Sequence, residues 1–149
     1  FFFFFFFLDY LLMIFGSQKD EIEATYRQEA MGSLADIANS LALGIMSKLD
    51  EFAQWSLTGL KDKHGPTRSN SAFLFGILCH YCGDATVKYF PAALEGLTAM
   101  FNETDNVVRD NACGSVGRMI ISAPTAVPLA QVSVRIHNEK SHLFSTANI

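Results

Sequence analysis

The chain has 149 residues, of which half are apolar and 17% are charged, and its formal net charge is −4. This length accommodates about one domain of ordinary size. The composition excludes a chain that is disordered throughout, and the excess of acidic residues argues against a protein that binds nucleic acid directly.

The segment Phe1–Gly16 is strongly apolar and contains eight of the 14 phenylalanines. Asp9 interrupts this stretch, which is shorter than the roughly 20 apolar residues of a membrane span and lacks the basic flank and cleavage site of a signal peptide. We therefore predict no membrane insertion.

A plain run of thymine would encode Phe1–Phe7, so we interpret 1–20 as an apolar leader that a gene model reads from non-coding sequence. A transcript with an open reading frame through these codons would refute that hypothesis.

The sequence from residue 21 onward repeats itself, with each position i equivalent to position i + 41. Three arginines follow this period, and an acidic residue lies six positions before each of them. The acid and arginine pairs are Glu21 and Arg27, Asp62 and Arg68, and Glu103 and Arg109. We predict that 21–132 comprises two full repeats and half of another, and we leave the tail 133–149 unassigned because it does not continue the pattern.

Each repeat carries two amphipathic stretches with helical spacing of apolar residues. One stretch follows the arginine and predicts an inner helix, and the other precedes the acid and predicts an outer helix. The inner helices are expected near 22–39, 67–81 and 107–122, and the outer helices near 45–61 and 87–103.

Proline and glycine residues support these helix boundaries. The Gly65–Pro66 pair is typical of a helix start, and Gly83 and Pro124 follow expected helix ends. Pro91 implies that the second outer helix begins near Phe90 or is kinked there. Two helices within a period of about 40 residues are typical of HEAT and armadillo arrays, so the predicted fold is an all-α solenoid of HEAT (armadillo-like) helix pairs.

Three segments resemble the C-terminal HEAT repeats of the importin-beta superfamily of nuclear transport receptors (karyopherins), and most of all its importin-four branch. They are TRSNSAFLFGILCHYCG (Thr67–Gly83), KYFPAALEGL (Lys88–Leu97) and VVRDNACGSVGRMIISAPT (Val107–Thr125). The last of these matches the V-R-D-N-x-C-G pattern of that branch. The resemblance extends from about Glu23 to Val132.

This resemblance implies a fragment of a receptor for protein import that moves between cytoplasm and nucleus. The implied partners are protein cargo, the GTPase Ran, which releases cargo, and phenylalanine-glycine nucleoporins at the nuclear pore. The chain departs from the family because it holds few repeats and lacks the N-terminal region that binds Ran, so these contacts would be made through the full-length parent. A HEAT scaffold subunit of a multiprotein complex is the alternative from another class.

The repeated acid and arginine pairs are interpreted as a structural ladder within and between repeats, although a ladder that contacts cargo is the alternative. Glu29, Asn70 and Asn111 also share the period, and they form either a polar row for cargo or bonds between helices. Phe73 and Ile77 lie off the apolar stripe and form either a cargo patch or contacts between inner helices. The 13 acidic and 8 basic residues between Asp20 and Val132 favour basic cargo, or simply a soluble surface.

Enzymatic and metal-binding functions find little support. Cys79, His80 and Cys82 supply too few ligands for a closed zinc site, and no second cysteine pair follows. The remaining histidines, His64, His137 and His142, fall in a turn and in the unassigned tail, so the sequence predicts no base for a cysteine nucleophile. Together with Cys113, the cysteines are expected to be free thiols in a reducing compartment. We predict no enzyme activity, no metal and no cofactor.

Overall fold

The structure, a computed structural model, describes residues 21–130 and 132–133. Five α-helices lie between residues 21 and 122, and three segments of 3₁₀-helix connect or extend them. The α-helices are α1 (Glu21–Leu41), α2 (Leu49–Gly59), α3 (Gly65–Cys82), α4 (Phe90–Ala99) and α5 (Asn106–Ser122). The 3₁₀ segments are Ala42–Lys48, Gly83–Tyr89 and Met100–Asn102.

The period of the sequence is also the period of the helix starts. Leu49 and Phe90, which begin α2 and α4, are one period apart, and so are Gly65 and Asn106, which begin α3 and α5. The first two 3₁₀ segments are offset by the same interval. The predicted all-α solenoid of HEAT helix pairs is confirmed. The predicted leader 1–20 and the tail from residue 134 lie outside the described residues.

The helices form two layers. The inner helices α1, α3 and α5 lie side by side with α3 in the middle, while α2 packs on α3 and α4 packs on α5. The apolar stripe of each inner helix lies between the layers, where Leu34, Phe75 and Val116 are at most 5% exposed. Burial of each such side chain contributes about 1.5–3 kcal/mol. The core is therefore continuous across the repeats, as stacking requires.

Proline marks the starts of two helices. Pro66 lies in the first turn of α3, and α4 begins at Phe90 with Pro91 in its first turn, so no kink is needed. The first outer helix differs from the prediction, because its α-helical part begins only at Leu49. The preceding residues form 3₁₀ structure, which shares the helical spacing of apolar residues over a single turn. None of the helices within 21–133 is long and apolar enough to cross a membrane.

The turns that follow α1 and α3 share a backbone feature at equivalent positions. Ala42 has φ of 47° and Gly83 has φ of 51°, and both lie in the region that favours glycine. The chain therefore turns out of both inner helices in the same way. The next position in the period is Pro124, whose ring fixes φ at a negative value, so this turn is not repeated there.

We expect Ala42→Gly to stabilise the chain by about 1 kcal/mol, because it removes the steric cost of a Cβ at positive φ. Gly83→Ala should destabilise it by about 1–2 kcal/mol. No atom lies within 4 Å of the position that a Cβ on Gly83 would take, so the second effect is purely conformational. Urea unfolding followed by circular dichroism measures both. Effects of the same sign would contradict this account.

Candidate functional site

The first rung of the arginine ladder is a buried ion pair between two repeats. The Arg27 Nε donates to Asp62 Oδ2 at 2.7 Å, and its Nη2 donates to Oδ1 at 3.1 Å. The side chains of Arg27 and Asp62 are only 1% and 5% exposed. The backbone N–H of His64 also donates to Asp62 Oδ1, at 2.8 Å. This bidentate geometry links α1 to the loop between α2 and α3.

The second rung repeats this arrangement with greater exposure. Arg68 Nη2 donates to a carboxylate oxygen of Glu103, and the two side chains are 18% and 31% exposed. Arg68 Nη1 also donates to the backbone carbonyls of Asp62, at 2.8 Å, and Lys63, at 2.9 Å. Arg68 therefore holds the backbone carbonyl of the acid in its own repeat and the carboxylate of the acid in the next repeat.

The third arginine keeps only part of this pattern among the described residues. Arg109 donates to the backbone carbonyl of Glu103, the acid of its own repeat, and to the side-chain oxygen of Asn106. The position equivalent to Glu103 in the next period is Phe144, so the sequence provides no acid there. The side chain of Glu21 lies outside the described residues.

The buried pair changes the acidity of both partners. Burial would raise the pKa of Asp62, but the hydrogen bonds from Arg27 and from the His64 N–H, together with the Arg27 charge, hold that pKa below its usual range. The hydrogen bond to Asp62 raises the pKa of Arg27. Both groups therefore remain charged within the core at neutral pH.

The two asparagines of the polar row bond to neighbouring inner helices. The Asn70 amide donates to the backbone carbonyl of Gln28 at 2.9 Å, and the Asn111 amide donates to Ser69 Oγ at 2.8 Å. Glu29 occupies the equivalent position on α1, where its side chain is exposed. The row is thus continuous in space, with two members engaged between helices and one open to solvent.

The two residues of the predicted apolar patch lie in different environments. Ile77 is 4% exposed and belongs to the core, because α3 has an inner helix on each side. It offers no surface to cargo in this structure. Phe73 is 36% exposed, and the Arg118 guanidinium lies 5.5 Å from the centre of its ring. Arg118 gives no signal in the arginine period, because it lies outside that period and instead shares the register of Asp36 and Ile77.

The cysteines are free thiols, and two of them are buried. Burial raises the pKa of the Cys79 thiol to about 12 and also raises that of Cys82. Both therefore remain protonated and unreactive at neutral pH. Cys113 is exposed on α5. Within the described residues, no three His, Cys, Asp or Glu side chains are grouped closely enough to hold a metal ion.

A groove separates the outer helices α2 and α4. It has a volume of about 660 Å³, and its walls include Leu57, Lys61, Tyr89 and Ala92. The Tyr89 hydroxyl donates to the Asp50 carboxylate, which also accepts from Lys88 Nζ at 2.7 Å. These two contacts connect one repeat to the next along the outer layer. A second cavity of about 570 Å³ lies beside α4, between Pro91 and Pro128.

Comparison with known proteins identifies relatives of one kind. The chain is 29% identical to human importin-4 over 104 residues, which are 69% of this chain and 10% of the relative. It is 26% identical to the probable importin subunit beta-4 of Schizosaccharomyces pombe over 107 residues, 71% of this chain and 10% of the relative. Mouse importin-4 is 25% identical over 83% of this chain. The chain thus spans about a tenth of the length of the curated relatives it matches. No family model and no solved structure matches the chain.

Proposed function

Because the chain is related to the importin-beta family, we propose that it forms part of a nuclear transport receptor that binds protein cargo and releases it to Ran in its GTP-bound form. The similarity to importin-4 proteins over 69–83% of the chain is the observation that carries this proposal. The proposal concerns the full-length parent, which would work in the cytoplasm, the nucleus and the nuclear pore.

The exposed face of the inner helices is the surface we propose for cargo. Glu29 and Asp36 are both exposed on α1, and Asn70 and Asn111 continue the same face across α3 and α5. Exposed carboxylates favour basic segments by charge complementarity and by steering during encounter. Basic cargo is therefore the class that this surface suits best.

The groove between α2 and α4 is the place we propose for phenylalanine-glycine nucleoporin segments. Leu57, Tyr89 and Ala92 contribute apolar surface beside polar lining residues such as Lys61 and Lys88, and the volume of about 660 Å³ is ample for a phenylalanine ring. The groove lies on the outer layer, so its occupation would leave the inner face free for cargo. Both surfaces would then work at the same time.

A pull-down of the full-length parent tests the proposal. We expect immobilised parent to retain proteins from a nuclear extract, and to release most of them when GTP-locked Ran is added but not when GDP-bound Ran is added. Beads that carry phenylalanine-glycine repeats should also retain the parent, whereas beads with serine in place of phenylalanine should not.

Retention of a stable set of proteins that neither form of Ran releases, without binding to the repeat beads, would contradict transport. That result would instead identify a HEAT scaffold subunit. The two functions share the same solenoid, so the response to Ran separates them.

A further inference from the structure

Arg118, on the exposed face of the inner helices, has no hydrogen-bond acceptor for its guanidinium within the described residues. We propose that Arg118 on α5 binds a carboxylate of a protein segment that crosses the inner helices. This inference deepens the proposed function and rests on it only in taking the segment to be cargo. The occupant is an acidic residue within a segment that is otherwise apolar or basic.

The guanidinium of Arg118 is held in place by an aromatic ring. It lies 5.5 Å from the ring centre of Phe73, which is a cation–π distance. No hydrogen bond or ion pair engages Arg118 in 21–133, although a guanidinium carries five N–H donors. An oriented guanidinium with free donors matches the two oxygens of a carboxylate.

A glycine on the neighbouring helix makes room for the Arg118 side chain. A Cβ on Gly76 would lie 2.8 Å from Arg118 Nη1 and 3.2 Å from its Cδ, so only glycine accepts this path of the side chain across α3. The arginine is half-buried, because part of its side chain packs across the backbone at Gly76. Less conformational entropy is lost on binding when a side chain is already fixed.

Open space lies beside the aromatic ring. The positions equivalent to Phe73 in the other inner helices are Gly32 and Gly114. The Asn70 amide lies 3.1 Å from the position that a Cβ on Gly32 would take, so the open side is that of α5. Nothing lies within 4 Å of the position that a Cβ on Gly114 would take. An apolar side chain of a bound segment can therefore reach the ring next to Arg118.

The charges along this face define the partner further. Asp36, Ile77 and Arg118 are equivalent positions on the three inner helices, and Asp36 is exposed. Two interhelical spacings of about 8–10 Å separate the acid from the arginine by roughly 16–20 Å. An extended segment covers that distance in about five residues. The face therefore suits a segment with a basic residue and an acidic residue about five positions apart.

A substitution that supplies an internal carboxylate tests the proposal without loss of the fold. Glutamate at position 114 would lie four positions before Arg118 on α5 and would pair with it within the helix. Gly114→Glu should also fold well, because the site is open and glycine is a poor helix former. Gly114→Gln is the matched control, since it adds the same bulk without the charge.

The probe is the fluorescein-labelled peptide KKAFAGEAFG, compared with KKAFAGQAFG by fluorescence anisotropy at low salt. We expect the unaltered chain to bind the glutamate peptide about tenfold more tightly than the glutamine peptide. The ratio should fall to about one in Gly114→Glu and in Arg118→Gln, and should persist in Gly114→Gln. Lys63→Gln, which removes an exposed charge elsewhere, should leave the ratio unchanged.

Equal affinities for the two peptides in the unaltered chain, or no binding of either, would overturn the site at Arg118. Such a result would leave the proposed function intact if full-length parent still released cargo to Ran. If the chain prefers the glutamate peptide but the full-length parent does not respond to Ran, the carboxylate site at Arg118 is supported and the proposed transport function is contradicted.

Discussion

Asp62→Asn should destabilise the chain by about 3–5 kcal/mol, the largest loss that we expect from any single polar substitution in the described residues. The substitution leaves the Arg27 guanidinium, which is 1% exposed, without the negative charge that compensates its burial. Urea unfolding followed by far-ultraviolet circular dichroism measures the loss. The matched control is Glu103→Gln, which removes the same charge from the next rung.

The control substitution should cost about 1 kcal/mol or less, because the Arg68 and Glu103 side chains are 18% and 31% exposed and water can solvate a lone guanidinium there. The difference between the two rungs then reports burial together with the bidentate geometry of the first rung, since both substitutions remove one carboxylate charge from an arginine. Equal losses at both rungs would show that burial does not set the strength of this ladder.

The buried rung also predicts a dependence of stability on pH. The pKa of Asp62 is lower in the folded chain than in the unfolded chain, so its contribution to stability is complete above about pH 4. That contribution is lost as the pH falls through the lowered pKa. Asp62→Asn should therefore flatten the acid limb of the stability curve, and an unchanged limb would contradict the assignment.

Gly59→Ala is expected to destabilise the chain by about 1–3 kcal/mol, because α2 ends in direct contact with α3. A Cβ on Gly59 would lie 2.0 Å from Ser71 Oγ and 2.9 Å from Met31 Cε, so the side chains around it must move. The thermal midpoint should fall accordingly. Gly114→Ala provides the control, since its site is open and alanine should stabilise α5 by up to about 1 kcal/mol.

A second substitution locates the source of the Gly59→Ala effect. Ser71→Ala removes the oxygen nearest to the added Cβ and should recover part of the loss in the double variant. The recovery should be incomplete, because Ser71 Cβ itself lies 3.0 Å from the same position. Strictly additive effects of the two substitutions would rule out the proposed clash.

The period and the starts of α3 and α4 were predictable because they depend on local chemistry that the sequence displays directly. Pro66 and Pro91 supply a fixed φ and no N–H donor, so they mark first turns regardless of what packs around them. The turn at Gly83 was predictable for a similar reason. The equivalent turn at Ala42 was not, because alanine is no signal for positive φ and the strain there is imposed by the repeat.

The surface was less predictable because it depends on what lies beside each inner helix. For Ile77 the sequence left two alternatives open, cargo contact and packing between inner helices, because an apolar stripe describes packing against one layer only and α3 has a helix on either side. The period identified Asp62 and Glu103 as equivalent acids of the ladder. It did not indicate that the Asp62 side chain would be buried and the Glu103 side chain partly solvated. The contact of Arg118 with Phe73 depends on the bare backbone at Gly76, which spacing alone does not reveal.

The unequal rungs of the arginine ladder have a mechanical consequence. A buried bidentate fork resists shear between α1 and α3, whereas the single exposed contact of Arg68 with Glu103 can exchange with water at little cost. Bending should therefore concentrate at the junction of α3 with α5, which would be more flexible than the junction of α1 with α3. Changes in the curvature of the array would then arise mainly at that junction.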